Sequence, residues 1–521
     1  MGLDSKLAIR VGLLSAFLLV TLWNAWLADD AYIIYRTVDN FVNGFGLRWN
    51  VIERVQTYSC PLWMFLVSGV YFFTRESFYT NIALCSIVST AATAVVIFGA
   101  ARSVASASIT VTCLVLSKAF IDYSTSGLEN PLTHLLVGTF FLIYFRATPD
   151  SPRICVLALI AALIMVNRLD SGLLVGPAML FVLWTHRSVR SFAIAGVGFL
   201  VLLAWFGFAM AYYGFILPNT AYAKLITGVD RLSLAHNGAN YLLTSFLTDP
   251  VTVLVIFGSL IAIIATASIR FVAAGAGIVL HLAYLILIGG DFMSGRFLSA
   301  VFILSIVAFL NCRLPIPRRA GWIGIGGMAI LGLANLNSPI YNRMYWDPKF
   351  EARDQFDRVR TADERAFYYQ SCGLLNAWRY PEMPAYPWRY SGLRYAADAV
   401  TEPQVIVSGA VGMRGFFAGP RVHIIDRVGI TDPFLSRCPP QSISNWRIGH
   451  FERWVPPDYV TSVRANRNLF QDPDLALYYD KIRLITMDPL WSKERFQAII
   501  QMHLGKYTHL IDKDIFRESR N

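Results

Sequence analysis

Ionisable side chains are scarce in the first two thirds of this chain, and where they occur they come in short clusters. The first cluster, DDAYIIYRTVDNFVNGFGLRWN (residues 29–50), sets Asp29 and Asp30 side by side directly after an apolar run. Two adjacent carboxylates at the end of an apolar helix are costly to keep ionised near lipid, which suggests a function. The plainer explanation is that they mark the water boundary, and this cluster alone does not choose. STSGLENP (124–131) places Glu129 at the mouth of another apolar run. NRLDSG (167–172) holds Arg168 and Asp170 inside an apolar hairpin, where a structural ion pair is the competing explanation. LPNTAYAK (217–224) ends in Lys224, and GGDFMSGRF (289–297) presents Asp291 and Arg296 on a bend its glycines permit. Near the end, NWRIGHFERWVPPDY (445–459) spaces Arg447, His450 and Arg453 three residues apart. They could share one face of a turn or helix, either on a phosphate or sugar, or as a surface network.

These residue types suit group transfer from an anionic, lipid-linked donor. A lipid-borne phosphate needs cations at the interface, for which Arg168, Lys224 and Arg296 are candidates. Activating an acceptor hydroxyl needs a carboxylate within hydrogen-bond reach, the part that Asp29 or Asp30 would take. A phosphate ester leaves as an anion, so strong acid assistance is less necessary than for an ordinary glycoside. Glu129, Asp170, Asp291, Arg447, His450 and Arg453 complete the candidate substrate site. Asp29, Asp30 and Glu129 could also share oxygen ligation of a divalent cation (Mg, Mn or Ca), a requirement the sequence leaves open. The rival function is a transporter or flippase for a lipid-linked saccharide. Transporters usually show two related halves, and no internal repeat is seen here.

The elements that must position these residues are apolar runs. The chain has 521 residues, 55% hydrophobic and only 15% charged, too little charge to hydrate the surface of a soluble protein of this length. Runs near the roughly 20 residues a spanning helix needs cover 7–28, 80–101, 104–122, 131–146, 153–167, 171–185, 191–213, 249–269, 271–289, 297–311 and 320–337. That makes eleven spans. The run at 61–73, about 13 residues, suits an interfacial or re-entrant segment better than a span. Leaving it out puts Lys6, Arg102, Arg146, Arg153, Arg190, Arg270 and Arg313 to Arg319 on one side, the positive-inside pattern. The N-terminus is then cytoplasmic, with an uncleaved first helix, and all the polar clusters lie outside. The net charge of +11 is largely this topology signal; no dense basic tract points to nucleic acid.

Residues 1–338 thus form a transmembrane domain and 339–521 a soluble extracytoplasmic one. In the tail, 349–370 reads as an amphipathic helix, and 404–412 and 421–426 as short buried strands, the pattern of an α/β domain. VSGAVGMRG carries G-x-x-G-x-x-G rather than G-x-G-x-x-G, a poor match to a dinucleotide site. Of seven cysteines, Cys372 and Cys438 fall in the tail and could pair if it is extracytoplasmic. The spacing after the acidic pair predicts an amphipathic helix lying in the interface, ended by NGFG.

The ordered motifs resemble a known family. DDAYIIYR, GFGLRWN and ERVQTYSCPLW (29–63), SGLENPL, LPNTAYAK, GGDFMSGRF, GAVGMRGFFAGPRVHIIDRVGITDPFLSR (409–437) and NWRIGHFERWVPPDY look like the mycobacterial terminal arabinofuranosyltransferase (AftB-like) family of GT-C polytopic glycosyltransferases. The likeness covers most of the chain. It implies a polyprenyl-phosphate sugar donor, typically decaprenylphosphoryl arabinofuranose, and an acceptor polysaccharide or surface glycoprotein outside a bacterial inner membrane. The family's acidic pair maps onto Asp29 and Asp30. The chain departs in having Arg-Leu-Asp at 168–170 where Arg-Pro-Asp is expected, and in being shorter, which leaves the acceptor open between arabinan, another polysaccharide and pilin. In an inverting reaction one aspartate is the general base; in a retaining one a carboxylate could be nucleophile or stabilise an oxocarbenium-like transition state.

Overall fold

The computed structural model describes residues 3–148, 152–225, 227–312, 318–341, 360–444, 446–512 and 516. Among them, four helices are long and apolar enough to cross a membrane: Asp4–Trp23, Phe78–Ala100, Val189–Tyr213 and Ile269–Leu287. A fifth results if the pair Arg231–Thr248 and Pro250–Thr266, bent by 110°, counts as one span. Several other predicted spans are shorter apolar helices, such as Val104–Leu116, Ile154–Asn167 and Leu298–Asn311. At 1.5 Å per residue, fourteen residues rise about 21 Å, less than the ~30 Å hydrocarbon core. The eleven predicted spans are therefore not matched by eleven full-length helices.

Polar residues explain two of the differences. The run 104–122 breaks at Ser117, whose backbone is extended and whose hydroxyl caps Phe120 N, so Lys118–Asp122 forms a separate short helix. The segment 214–248, expected as an outer loop, contains the helices Asn219–Leu225 and Arg231–Thr248. The second helix carries enough Asn, Ser and His to hide its apolar periodicity. Pro250 cannot continue it, and Asp249 caps the next helix by accepting from Thr252 N.

The chain forms two compact units interleaved in sequence. One comprises Met1–Ala28, Phe78–Leu202 and Arg231–Pro384; the other Asp29–Ser77, Leu203–Asp230 and Ala385–Asn521. Compactness thus divides the chain differently from the composition break at 338–339.

In the first unit, apolar helices surround a core that includes Phe17, Phe120, Phe140, Phe141, Ile164, Leu174 and Phe302. Leu298–Ala308 is buried on every face, as an all-apolar helix at a bundle centre must be. Glycine brings two helices together: a Cβ on Gly277 would lie 2.1 Å from Leu174 O. Without a hydrophobic drive between helices in lipid, such small-residue contacts carry much of the packing.

In the second unit, β1 (Gln404–Ser408) and β2 (Val422–Asp426) pair in parallel, Gln404 opposite Val422 and Ser408 opposite Asp426. The crossover contains the helix Met413–Ala418. Both strands were expected. The helix Asp29–Val42 also forms, but Ala31–Val38 is buried throughout rather than presenting one apolar face. Tyr32 and Tyr35 pack on Phe416, and the Arg36 guanidinium lies over Trp49. The 61–73 run is the helix Pro61–Thr74, started by proline and ended by Arg75 in the left-handed region. Of the helix predicted over 349–370, residues 349–359 lie outside the described residues; Asp363 caps the helix Glu364–Cys372. Cys372 and Cys438 are not joined by a disulfide: each is buried in its own unit.

Candidate functional site

The acidic pair opens a helix of the second unit. Asp29 and Asp30 stand in the first turn of Asp29–Val42, where unpaired amides and the helix dipole favour negative charge. Their surroundings differ. Asp29 is 8% exposed, and its carboxylate accepts from Met413 N at 2.7 Å and Gly412 N at 3.2 Å. Burial pushes its pKa up to about 7; the Met413 amide works against that and the Asp30 charge adds to it. Asp30 is half-buried.

The glycine rhythm of 409–415 now has a cause. A Cβ on Gly412 would lie 2.1 Å from Asp29 O and 2.5 Å from its carboxyl carbon, and one on Gly415 would lie 2.6 Å from the Trp49 ring. Arg36 completes the seat, donating to Trp49 O at 2.8 Å, Gly415 O at 2.6 Å and Val422 O at 2.6 Å. G-x-x-G-x-x-G is thus a bed for the acidic helix. Arg36, Gly412 and Gly415 escaped the sequence analysis, although the glycine spacing was a visible signal.

In the first unit, three of the polar loops meet. Arg168 holds Asp170 with two bonds of 3.0 and 2.8 Å and reaches Glu129 at 2.5 Å. Arg296 lies 3.1 Å from the same Glu129 oxygen and 4.0 Å from Asp291. The Phe297 ring sits 4.5 Å from the Arg168 guanidinium and 5.8 Å from that of Arg296. Burial raises the Glu129 pKa, but the Arg296 and Arg168 charges override it and hold the carboxyl at about 2. Three carboxylates therefore face two guanidiniums, all at least partly buried. A further network, which no motif announced, joins Lys118 to Asp363 at 3.1 Å and Arg365 to Asp122 at 3.1 Å.

The basic residues of the second unit divide. Arg453 is 1% exposed and donates to the carbonyls of Val428 (2.7 Å), Ala223 (2.5 Å) and Phe451. It is a backbone clamp and does not share an open face with Arg447 and His450; no helix forms over 446–455 to align the three. His450 is half-buried, Lys224 exposed. Burial, then the charges of Arg447 and Lys224, push the imidazole down to about 3, so His450 is neutral. The LPNT segment is a tie: Asn219 donates to the carbonyls of Gly429, Ile430 and Asp432 at 3.0–3.1 Å.

Among the described residues, no group of three His, Cys, Asp or Glu is arranged to hold a metal ion. The expected oxygen set fits a cation poorly, because Glu129 answers two guanidiniums and Asp29 two amides.

No family model matches the chain. Among curated proteins it is 26% identical to the terminal β-(1→2)-arabinofuranosyltransferase of Mycobacterium tuberculosis, over 84% of this chain and 82% of that protein. It is 24% identical to the protein of the same name from Corynebacterium glutamicum, over 82% and 72%. Among solved structures, ArnT from Cupriavidus metallidurans bound to undecaprenyl phosphate superposes with a TM-score of 0.55 at 14% identity, covering 82% of this chain and 87% of ArnT. The apo form gives 0.53. The chain is a membrane glycosyltransferase with the GT-C fold. The likeness read from the motifs holds along the length they span. The glycosyltransferase is a multi-pass membrane protein, as its apolar helices and its relatives agree.

Proposed function

We propose that the enzyme transfers a pentose, D-arabinofuranose, from a polyprenyl-phosphate donor to an extracytoplasmic polysaccharide or surface glycoprotein. The sugar rests on the similarity to two proteins named terminal β-(1→2)-arabinofuranosyltransferase. The donor class is supported by a structural neighbour that binds undecaprenyl phosphate. The observation that carries the chemistry is the acidic pair in the first turn of Asp29–Val42, with Asp29 seated on two amides and Asp30 beside it less enclosed.

In the reaction the bond from the anomeric carbon to the donor phosphate breaks, and polyprenyl phosphate leaves with the electron pair. The acceptor oxygen bonds to that carbon and its proton passes to a carboxylate, which we assign to Asp30. Asp29 positions its neighbour and its own helix. Lys224 and Arg447 are the cations we assign to donor phosphate, with His450 as a neutral hydrogen-bonding neighbour. Arg168 and Arg296 already answer Glu129, Asp170 and Asp291, so we assign them to holding three loops rather than to phosphate. The positive-inside pattern supports a cytoplasmic N-terminus and an extracytoplasmic tail from residue 339.

The test is purified enzyme with a panel of synthetic polyprenyl-phosphate sugars and mass analysis of products. Pentose transfer lost in Asp30→Asn, with insertion and abundance intact, is the expected result. Transfer of a different sugar refutes the assignment of arabinofuranose, and full activity of Asp30→Asn refutes the site.

A further inference from the structure

Among the described residues four tryptophans are exposed, Trp23, Trp184, Trp378 and Trp491, by 50–80%. Apolar side chains exposed singly are normal on any protein. Tryptophan beside a membrane is a different matter: its ring is apolar and its N–H polar, so it collects where hydrocarbon meets headgroups. Trp23 ends the helix Asp4–Trp23, and Trp184 stands in the last turn of Gly172–Thr185, as that preference requires. Trp378 and Trp491 fall in the tail, which its composition assigns to water. Each nevertheless belongs to a segment fastened to the end of a spanning helix.

In the first unit the segment is Tyr369–Arg379. Tyr369 Oη donates to Trp23 O at 2.7 Å, Leu374 N to Ala25 O at 2.8 Å, and Leu27 N to Cys372 O at 3.2 Å. Residues 372–374 are thereby strapped antiparallel to the chain leaving the first span. The short helix Leu374–Arg379 follows directly, with the Arg379 guanidinium 5.4 Å from the exposed Trp378 ring. In the second unit the segment is Trp491–Leu504. Arg495 donates to Ala211 O at 2.8 Å and Tyr212 O at 3.0 Å, last-turn carbonyls that a helix cannot satisfy by itself. A Cβ on Gly214 would lie 2.4 Å from Ile485 and 3.2 Å from Ile499. The helix Lys493–His503 therefore lies against the end of Val189–Tyr213. Arg495, Ala498 and Ile499 fill its buried face, while Ile500 and Leu504, one turn apart, are exposed together with Trp491. Lys493 is exposed beside them, on a stem long enough to keep its charge in water above an apolar floor.

Depth follows from length. At 1.5 Å per residue Asp4–Trp23 rises about 30 Å and Val189–Tyr213 about 37 Å, against a hydrocarbon core of ~30 Å. Both helix ends, and the segments tied to them, therefore reach the level of the headgroups. We propose that Trp378, and Trp491 with Ile500 and Leu504, are two feet by which the tail rests on the lipid surface. The tail is then a domain planted on the bilayer, not one free in water. The inference needs neither the transferase assignment nor the side of the membrane on which the tail lies.

The test is the native tryptophan emission of the full-length protein in nanodiscs made with or without brominated phosphatidylcholine, with acrylamide as the aqueous quencher. Trp378→Phe and Trp491→Phe each remove one of 13 tryptophans, at exposed positions outside the core. The emission lost in each variant is expected to be the part that brominated lipid quenches. A loss confined to the part that acrylamide alone quenches overturns the proposal for that segment. A nitroxide on Arg379→Cys or on Leu504→Cys reads each segment independently of tryptophan yield, in a Cys155→Ser background that removes an exposed native thiol. Collision with oxygen is expected to exceed collision with an aqueous nickel chelate at both positions, and the reverse overturns the foot at which it is found.

Discussion

Asp29 and Asp30 are neighbours in sequence but not equivalents. Asp29 is enclosed, with both oxygens on backbone amides and a carboxyl held near pKa 7. If Asp29 rather than Asp30 accepts the proton, it must first be ionised, so kcat/KM rises with pH through about 7 and the rise disappears in Asp29→Asn. With Asp30 as base, the profile is free of that step and Asp30→Asn lowers kcat by on the order of 100-fold or more. A pH–rate profile of the wild type and both variants separates the two. Gly412→Ala tests the seat: its Cβ would meet Asp29 O at 2.1 Å, a clash with backbone that cannot rotate away. We expect a loss of about 1–3 kcal/mol of stability and a fall in activity with the acidic pair chemically intact, read as thermal midpoint and turnover together.

At the scale of elements, the loops 124–131, 167–172 and 289–297 depend on Glu129. Removing it leaves two partly buried guanidiniums short of a counter-charge, so Glu129→Ala is expected to cost about 3–5 kcal/mol, seen as loss of the folded fraction on purification. The sign of the pH effect follows from the depressed carboxyl. Its ordinary value is 4.5 and its folded value about 2. The stabilisation is complete above about 4.5 and is lost as pH falls towards 2. Thermal midpoints at pH 7 and pH 3 should therefore differ more in the wild type than in Glu129→Gln. Asn219 plays a like part in the second unit. Asn219→Ala strands three carbonyls and should destabilise by about 1–3 kcal/mol, measured in the same way.

For the whole molecule the quantity to measure is orientation. With the N-terminus inside and the tail outside, a membrane-impermeant thiol reagent applied to intact cells labels Lys506→Cys but not Asp4→Cys; both positions are exposed. Asp4→Cys labels only after the membrane is opened. The reverse pattern would discard the positive-inside assignment and with it the extracytoplasmic acceptor.

Composition alone determined that the chain lives in a membrane, because an apolar helix has no other solvent. The helix after the acidic pair and the two short strands were also legible, since each is set by residues close in sequence, whereas the parallel pairing of the strands came only from the fold. Span lengths were not: a single Ser117 or Pro250 ends a helix where the apolar count continues. Nor was the partnership of charges. Arg168, Arg296 and Glu129 come from three loops, and only their packing joins them in one ion network. The same holds for G-x-x-G-x-x-G, whose purpose is the distance between two backbones. What the tertiary structure decided is which polar groups satisfy one another and which, like Arg437 Nη2, are buried without an acceptor. That depends on contacts between residues hundreds of positions apart, which local pattern does not encode.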